Sequence, residues 1–331
     1  MKNIYLLTLA VSLYLCAASC GGSKTKVTEN NNVITVKAPV FNADSAYFFV
    51  KAQVDFGPRT PNSKGHSLCG KYLVDKLKSF GASVIEQNCD LTGYDGTTLK
   101  STNIIGSYKP DIKKRIVLFS HWDSRPWADN DPDKSNWHKP ILAANDGASG
   151  VGILLEIARL IQKQQPEMGV DIIFLDAEDY GTPQFYNGPD DENSWALGAQ
   201  YWARNPHIDN YNARFGILLD MVGGKGSTFY KEAYSEDCAS SINKKIWKTA
   251  SDLGFSQYFI NKRGDRVTDD HTFINDIAKI PTIDIIPFDA NSKTQSFGPT
   301  WHTVADNMDN IDKATLKAVG QTVLQVIYNE K

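Results

Sequence analysis

Residues 170–179 read VDIIFLDAED, an apolar run that ends in three carboxylates. Two other runs follow the same plan. RIVLFS at 115–120 continues into HWD at 121–123, and FGILL at 215–219 continues into Asp220. A short, almost continuous apolar run of this kind is typical of a strand that is buried on both faces of a sheet.

Helical patterns lie between and around these strands. VGILLEIARLI at 151–161 is rich in apolar residues, and further apolar residues recur at helical spacing from Leu68 to Phe80 and from Leu316 to Ile327. TIDII at 282–286 predicts one more strand. Buried strands that alternate with helices predict an α/β fold with a mostly parallel central sheet and helices on both faces.

Polar side chains at the strand ends predict the position of a functional site. Ligands of open α/β sheets bind beyond the carboxyl ends of the strands, so these side chains should converge in one crevice. Catalytic zinc takes three protein ligands and keeps one position open. The side chains that could bind a metal there are His121, Asp146, Glu178, Asp179, Asp220 and His302.

Each of these residues also has an ordinary structural explanation. An acid after a strand is often a helix cap or a solvated side chain, and a single histidine is usually a core or surface residue. The argument therefore rests on their joint position at one side of the sheet. The HExxH helix of many zinc proteases is absent from the sequence.

The N-terminus indicates export. Lys2 precedes an apolar run at 4–15 that is shorter than a membrane-spanning helix, and small residues then lead to Cys20. We predict a lipoprotein signal peptide at 1–19, lipidation of Cys20, a flexible tether at 20–40 and one catalytic domain at 41–331. An ordinary secretory signal is the alternative. The expected location is a bacterial membrane, with the protein anchored on its periplasmic or cell-surface side.

The charge balance points away from nucleic acids. The net charge is −3, and lysines and arginines do not cluster. We expect no nucleic-acid partner, and contact with a membrane through the lipid anchor alone. Cys69, Cys89 and Cys238 could form at most one bridge among themselves, for which Cys69 and Cys89 are a candidate pair, or could remain thiols.

The order of the short motifs resembles that of a known enzyme superfamily. HWD at 121–123, NDGASG at 145–150, the acidic pair at 178–179, LDMVG at 219–223 and a late HT are similar to the zinc aminopeptidases, over residues 41–331. DDH at 269–271 and WHT at 301–303 resemble the glutaminyl cyclases within that superfamily. The resemblance implies their phosphorylase/hydrolase-like fold.

The resemblance also implies roles for individual residues. Zinc, one ion per chain, would be bound by Asp146, Asp179 and His302, and Glu178 would be the general acid and base. Asp220 and Asp270 would form a supporting, catalytic carboxylate network, and Trp301 would line the substrate pocket. The implied activity is a glutaminyl-peptide cyclotransferase, an acyltransferase that converts N-terminal glutamine of peptides and proteins to pyroglutamate and releases ammonia.

Two departures and two alternatives accompany this resemblance. Asp179 stands where many relatives have Glu, and the tryptophan that follows the acidic pair in animal cyclases has no counterpart before Trp195. The first alternative is an aminopeptidase in which His121 and Asp220 complete a second zinc site. The second is a binding module that kept the fold without the chemistry.

Overall fold

Helices and strands alternate along the chain in the computed structural model, which describes residues 37–189, 191–292 and 296–331. The helices are α1 (Ala43–Val54), α2 (Lys64–Ser79), α3 (Ala148–Lys163), α4 (Leu197–Arg204), α5 (Ala233–Asp252), α6 (Asp270–Phe273) and α7 (Lys313–Asn329). The strands are β1 (Ser83–Thr92), β2 (Thr98–Tyr108), β3 (Arg115–His121), β4 (Gly169–Leu175), β5 (Gly216–Leu219), β6 (Phe229–Lys231), β7 (Phe259–Arg263) and β8 (Thr282–Ile285).

The main sheet is mixed but mostly parallel at its centre. Its strand order is β1-β2-β4-β3-β5-β8, and β6 and β7 form a separate parallel pair. β4, β3, β5 and β8 run parallel to one another. At one side of them, β2 pairs antiparallel with β4, and β1 pairs antiparallel with β2. The four strands predicted from the apolar runs are therefore the parallel ones, and the predicted fold class is confirmed.

Helices cover both faces of the parallel strands. Leu118 of β3 packs in a large cluster with residues of α1, α2, α3, α5 and α7. Its neighbour Phe119 points to the opposite face and packs edge-on against Trp202 of α4, with ring centroids 5.3 Å apart. Every residue of β3 and β4 is buried, which explains why their sequences lack a polar alternation.

The β1–β2 hairpin has no counterpart among the strands predicted from the sequence. All residues of β1 are exposed or half-buried, and β1 lies at the edge of the sheet. β1 pairs with β2 along its whole length, from Ser83 opposite Ser107 to Thr92 opposite Thr98. This pairing makes the segment a strand, although its mixed composition does not predict one.

The predictions about the cysteines and the N-terminus concern residues that the structure describes only in part. Cys69, Cys89 and Cys238 are free thiols, so the candidate bridge between Cys69 and Cys89 is absent. The signal peptide, the lipidation of Cys20 and nearly all of the tether lie outside the described residues and stay predictions. Within the described ranges, no helix combines the length and apolar character needed to cross a bilayer.

Candidate metal centre and active site

The candidate residues lie on turns that follow the parallel strands. β3 ends at His121, β4 leads through Asp176 and Ala177 to the acidic pair, and β5 leads into Asp220. Five residues in these loops have left-handed backbone conformations without being glycine: Ala143 with φ 50°, Ala177 with φ 53°, Ala196 with φ 53°, Met221 with φ 50° and His302 with φ 54°. Such conformations are costly for these residue types and concentrate at functional sites.

Asp146, Asp179 and His302 converge on a common point, as the resemblance implies. His302 Nε2 lies 3.2 Å from Asp179 Oδ1 and 3.6 Å from Asp146 Oδ2, and all three side chains are buried. One ligand atom from each lies within 4.8 Å of the other two. Although Asp179 is shorter than the Glu of many relatives, it reaches this point.

The bonding of these carboxylates fits a bound cation. Asp146 Oδ2 and Asp179 Oδ2 are buried, and neither has a hydrogen-bond partner among the described residues. A buried polar atom without a partner costs free energy, and two buried carboxylates beside one imidazole form a donor set suited to zinc. The residues present therefore fit the ion that the sequence implies.

His121, Asp146 and Asp220 form a second buried group that shares Asp146 with the first. His121 Nε2 lies 3.1 Å from Asp146 Oδ1 and 3.1 Å from Asp220 Oδ1. Burial raises the pKa of Asp146, but the hydrogen bond from His121 and its charge outweigh burial and lower this pKa overall. Because Asp146 belongs to both groups, the two groups together could bind one metal ion or two.

Glu178 lies in the same cavity and has a perturbed pKa. Burial raises this pKa well above the usual range for glutamate, and the charges of Asp179, Asp269 and Asp270 add to the effect against that of His121. Burial likewise raises the pKa of Asp220 to about 8. A carboxyl group whose pKa lies closer to neutrality can both accept and return a proton.

Asp270 lies next to Asp269 of the cavity lining, and its charge raises the pKa of Glu178. Its side chain is fully buried, neither oxygen has a hydrogen-bond partner in the described part of the chain, and burial raises its pKa well above the usual range. Asp269 caps α6 and itself lines the cavity. The sequence-based candidates are thus brought together, although Asp269 rather than Asp270 reaches the cavity surface.

Two tryptophans form walls of the cavity, whose volume is about 170 Å³. The Trp301 ring stacks on His302 with centroids 4.0 Å apart, and the Trp195 ring lies parallel to His302 at 6.1 Å. Gly181 permits this arrangement, because a Cβ at that position would overlap the Trp195 indole. Trp195 therefore provides the second aromatic wall, although it lies sixteen residues after Asp179 in the sequence.

A larger groove exists elsewhere on the surface. It has a volume of about 790 Å³, lies between α2 and the β1–β2 hairpin, and is lined by none of the candidate metal ligands. Volume alone therefore does not identify the candidate site.

Arg125 and Asp129 are site residues that sequence reasoning missed. The Arg125 guanidinium donates to Asp129 through Nε at 2.7 Å and Nη2 at 2.6 Å, and to the Asp179 carbonyl at 3.0 Å. Asp129 Oδ1 lies 3.6 Å from His302 Nδ1, and the guanidinium also stacks 4.7 Å from the Trp195 ring centroid. Both residues lie in the loop between β3 and α3, whose polar sequence gave no sign of burial.

Asp123 and Asp306 fix the backbone that carries the metal ligands. Asp123 accepts hydrogen bonds from the backbone N–H groups of Glu178 and Asp179, at 3.1 and 3.2 Å. Asp306 accepts from the N–H groups of Asn145 and Asp146, at 2.8 and 3.0 Å. The sequence offered one sign of this role, because Asp123 completes the HWD motif.

Buried acids and imidazoles thus meet at the carboxyl ends of the parallel strands, where open α/β sheets bind their ligands. The sequence profile of "Peptidase family M28" matches residues 103–327, and the chain belongs to this family. Its similarity to glutaminyl cyclases confirms the group of the zinc aminopeptidase superfamily that the motifs indicated.

Individual relatives agree with this placement. A crystal structure of Bacteroides thetaiotaomicron glutaminyl cyclase bound to N-acetylhistamine is 67% identical, with a TM-score of 0.88, and the match covers 89% of this chain and 100% of that one. A Zn-dependent exopeptidase from Parabacteroides distasonis is 56% identical, with a TM-score of 0.87 and coverage of 89% and 100%. The glutaminyl-peptide cyclotransferase of Boiga irregularis is 28% identical over 309 residues, which span 82% of this chain and 77% of the relative.

Proposed function

We propose that the protein is a zinc-dependent glutaminyl-peptide cyclotransferase, which converts the N-terminal glutamine of a peptide or protein to pyroglutamate and releases ammonia. The observation that carries the proposal is the placement of Glu178 beside the Asp146–Asp179–His302 group, in a small cavity walled by Trp195 and Trp301. Similarity to proteins named glutaminyl cyclase supports it.

Zinc would be held by Asp146, Asp179 and His302. When bound, it would supply a Lewis acid that polarises the side-chain amide carbonyl of the substrate glutamine. Arg125 and Asp129 would hold two of these ligands in place, because they contact Asp179 and face the Nδ1 atom of His302.

Glu178 would carry the proton. It would accept a proton from the substrate α-amine as that nitrogen attacks the side-chain amide carbon. It would then return the proton to the amide nitrogen, which leaves as ammonia. The C–N bond to the α-nitrogen forms and the C–N bond to the amide nitrogen breaks, so the reaction needs no other reactant.

The aromatic walls would orient the substrate and exclude water. Trp195, Phe297 and Trp301 line the cavity beside His302, so a glutamine side chain would be held with little freedom to rotate. Attack by its own α-amine is intramolecular, and orientation alone can lower such a barrier substantially. Exclusion of water would favour cyclisation over hydrolysis of the amide.

An aminopeptidase remains a second candidate function because of one observation. His121, Asp146 and Asp220 form another group with the spacing of a metal site, and a di-zinc aminopeptidase would use it. In that enzyme Glu178 would activate a water molecule instead of an amine.

A paired assay separates the two activities. The purified protein, loaded with zinc, is offered a peptide with N-terminal glutamine and, separately, an aminoacyl-anilide, and zinc per chain is counted by elemental analysis. A cyclase releases ammonia from the first substrate and leaves the second intact. Hydrolysis of the anilide with no ammonia from the glutamine peptide would overturn the proposal in favour of the aminopeptidase.

We also propose that Cys20 carries a lipid anchor after cleavage of residues 1–19. The apolar run at 4–15 and the small residues before Cys20 support this proposal. Cys20→Ser should move the protein from the membrane fraction of the producing bacterium to the soluble fraction, and an unchanged distribution would contradict the anchor.

A further inference from the structure

The cavity that contains the candidate metal ligands has an acidic lining. Its described lining residues include Asp146, Glu178, Asp179, Asp220 and Asp269, together with His302, and none of them is Lys or Arg. A sixth acid, Glu192, completes this set. Such a lining favours a cationic occupant next to it.

Glu192 differs from the other five acids because its side chain is exposed to solvent. Four of the others, Asp146, Asp179, Asp220 and Asp269, are buried and Glu178 is half-buried, whereas the Glu192 side chain is exposed. Its carboxylate makes no hydrogen bond or ion pair with any other residue whose position is described. It is therefore free to bind a group that arrives from solvent.

The backbone holds Glu192 in a fixed position beside the aromatic wall. It begins the 3₁₀ turn Glu192–Ser194, which leads directly into Trp195. Gln200 Nε2 donates to the carbonyls of Asn193 and Trp195, both at 2.9 Å, and Ser194 Oγ accepts from Thr182 N–H at 3.2 Å. A carboxylate on a braced turn loses less freedom on binding than one on a mobile loop.

The size of the cavity determines which part of a substrate meets Glu192. A volume of about 170 Å³ accommodates about one amino-acid residue, the N-terminal glutamine. The following residue must then lie toward the mouth of the cavity, where Glu192 is the exposed charged group among the described lining residues.

We infer that Glu192 selects substrates that carry Lys or Arg directly after the N-terminal glutamine. This inference rests on the proposed cyclase function and specifies its substrate class. Because the contact is exposed, its contribution is that of a surface ion pair, and the expected preference in kcat/KM is about 3- to 5-fold for a cationic over a neutral second residue. An acidic second residue should be disfavoured to a similar degree.

The test compares three peptides that differ at one position, Gln-Lys-Ala-amide, Gln-Ala-Ala-amide and Gln-Glu-Ala-amide, by ammonia release from the zinc-loaded protein. In the parent protein kcat/KM should be highest for the peptide with Lys, lower for that with Ala and lowest for that with Glu. Raising the ionic strength should reduce these differences in kcat/KM. Glu192→Gln should bring the three values within about 2-fold of one another, and Glu192→Lys should reverse their order.

A matched control is Asp209→Asn. Asp209 is also an exposed acid without a described side-chain partner, but its loop precedes β5 and so lies at the opposite end of the sheet. Removal of this charge should leave the order of the three peptides unchanged. Thermal melting of each variant verifies the fold, and since the Glu192 carboxylate has no hydrogen-bond or ion-pair partner among the described residues the melting temperature should stay the same.

The remaining outcomes separate this inference from the function on which it rests. Equal cyclisation of the three peptides by the parent protein would overturn the role of Glu192 and leave the cyclase function standing. An equal loss for all three peptides in Glu192→Gln would also overturn it, because Glu192 would then act on the common N-terminal residue. If none of the peptides releases ammonia, both proposals fail.

Discussion

Glu178 is the residue on which the proposed proton transfers depend. Glu178→Gln keeps the size and shape of the side chain but removes its ability to accept a proton. We expect zinc content close to that of the parent and a loss of turnover of about 10²- to 10⁴-fold on a glutamine peptide. Elemental analysis and ammonia release check the two expectations separately.

His302→Ala is the informative companion variant. It removes a candidate ligand, so both zinc content and turnover should fall, whereas Glu178→Gln affects turnover alone. Parent-like turnover in Glu178→Gln would show that another group moves the proton.

Arg125 connects the metal ligands to the pocket wall. Its two-pronged contact with Asp129 and its bond to the Asp179 carbonyl need the planar guanidinium, which lysine lacks. Arg125→Lys should weaken zinc affinity by about 10- to 100-fold, the usual effect of losing a group that orients metal ligands. Competition with a chromogenic chelator measures this affinity without any turnover.

Arg159→Lys provides the control for this substitution. Arg159 makes a similar two-pronged contact with Glu156, at 2.6 and 2.7 Å, but on α3 and outside the cavity lining. Its replacement should leave zinc affinity as in the parent. Equal affinities for parent and Arg125→Lys would mean that the ligands keep their positions without the guanidinium.

At the scale of elements, the start of α3 lies very close to β3, which ends at His121, and to β5, which leads into Asp220. Gly150, in the first turn of α3, leaves no room for a Cβ, which would overlap Ser120 Oγ and the Leu219 carbonyl oxygen. The Ser120 hydroxyl can rotate, but the Leu219 carbonyl belongs to the end of β5 and cannot. This contact fixes the loop that presents Asp146 against the strand that leads to Asp220.

Gly150→Ala should therefore separate α3 from the sheet. We expect a loss of about 1–3 kcal/mol in the free energy of unfolding, the usual cost of overpacking, together with weaker zinc binding. Denaturant unfolding in the presence of a chelator measures the first effect and chelator competition the second. Lys244→Ala, at an exposed position of α5, should change neither, and unaltered stability of Gly150→Ala would refute the tight contact.

At the scale of the whole molecule, buried acids make the stability of the metal-free protein depend on pH. Burial raises the pKa of Asp220 to about 8 and raises those of Glu178, Asp270 and Asp284 well above their usual range. In the unfolded chain these groups release their protons near pH 4. The folded state thus binds more protons above pH 4, and its stability falls as pH rises toward 8.

Among the histidines, His121 adds to this dependence, whereas burial lowers the pKa of His207, which opposes it. The pKa of His121 is raised well above its usual value: burial lowers it, but hydrogen bonds to Asp123, Asp146 and Asp220 outweigh burial. Its stabilising effect is complete below pH 6.5 and is also lost as pH rises. Glu232, whose pKa is lowered to about 2 by its hydrogen bond to His271 against the effect of burial, matters below about pH 4.5.

The melting temperature of the chelator-treated protein should therefore decrease between pH 5 and pH 8. A tenfold difference in the proton affinity of one group between the folded and unfolded chain corresponds to about 1.4 kcal/mol. Zinc should stabilise the protein most at pH 8, because the ligands must be deprotonated to bind it. Scanning fluorimetry with and without added zinc provides the measurement, and a melting temperature of the metal-free protein that rises from pH 5 to pH 8 would contradict this account.

The sequence by itself determined the parallel part of the sheet and the identity of the candidate ligands. Apolar runs such as RIVLFS and VDIIFL must be buried on both faces, and this local property predicts parallel strands whose polar ends meet. The order of the motifs then distinguished Asp146, Asp179 and His302 from the many other acids and histidines. The parallel strands could be predicted because each apolar run is a local property of the chain, whereas the assignment of the ligands rests on the resemblance and stays a prediction.

The tertiary structure alone decided which partners surround those ligands. Trp195 becomes a pocket wall because Gly181 admits its ring, and Arg125 becomes buried because it meets Asp129 and Asp179 together. The edge hairpin likewise owes its order to pairing across strands rather than to its own composition. Such contacts are fixed by how distant segments pack against one another, and no local pattern of residues encodes that arrangement.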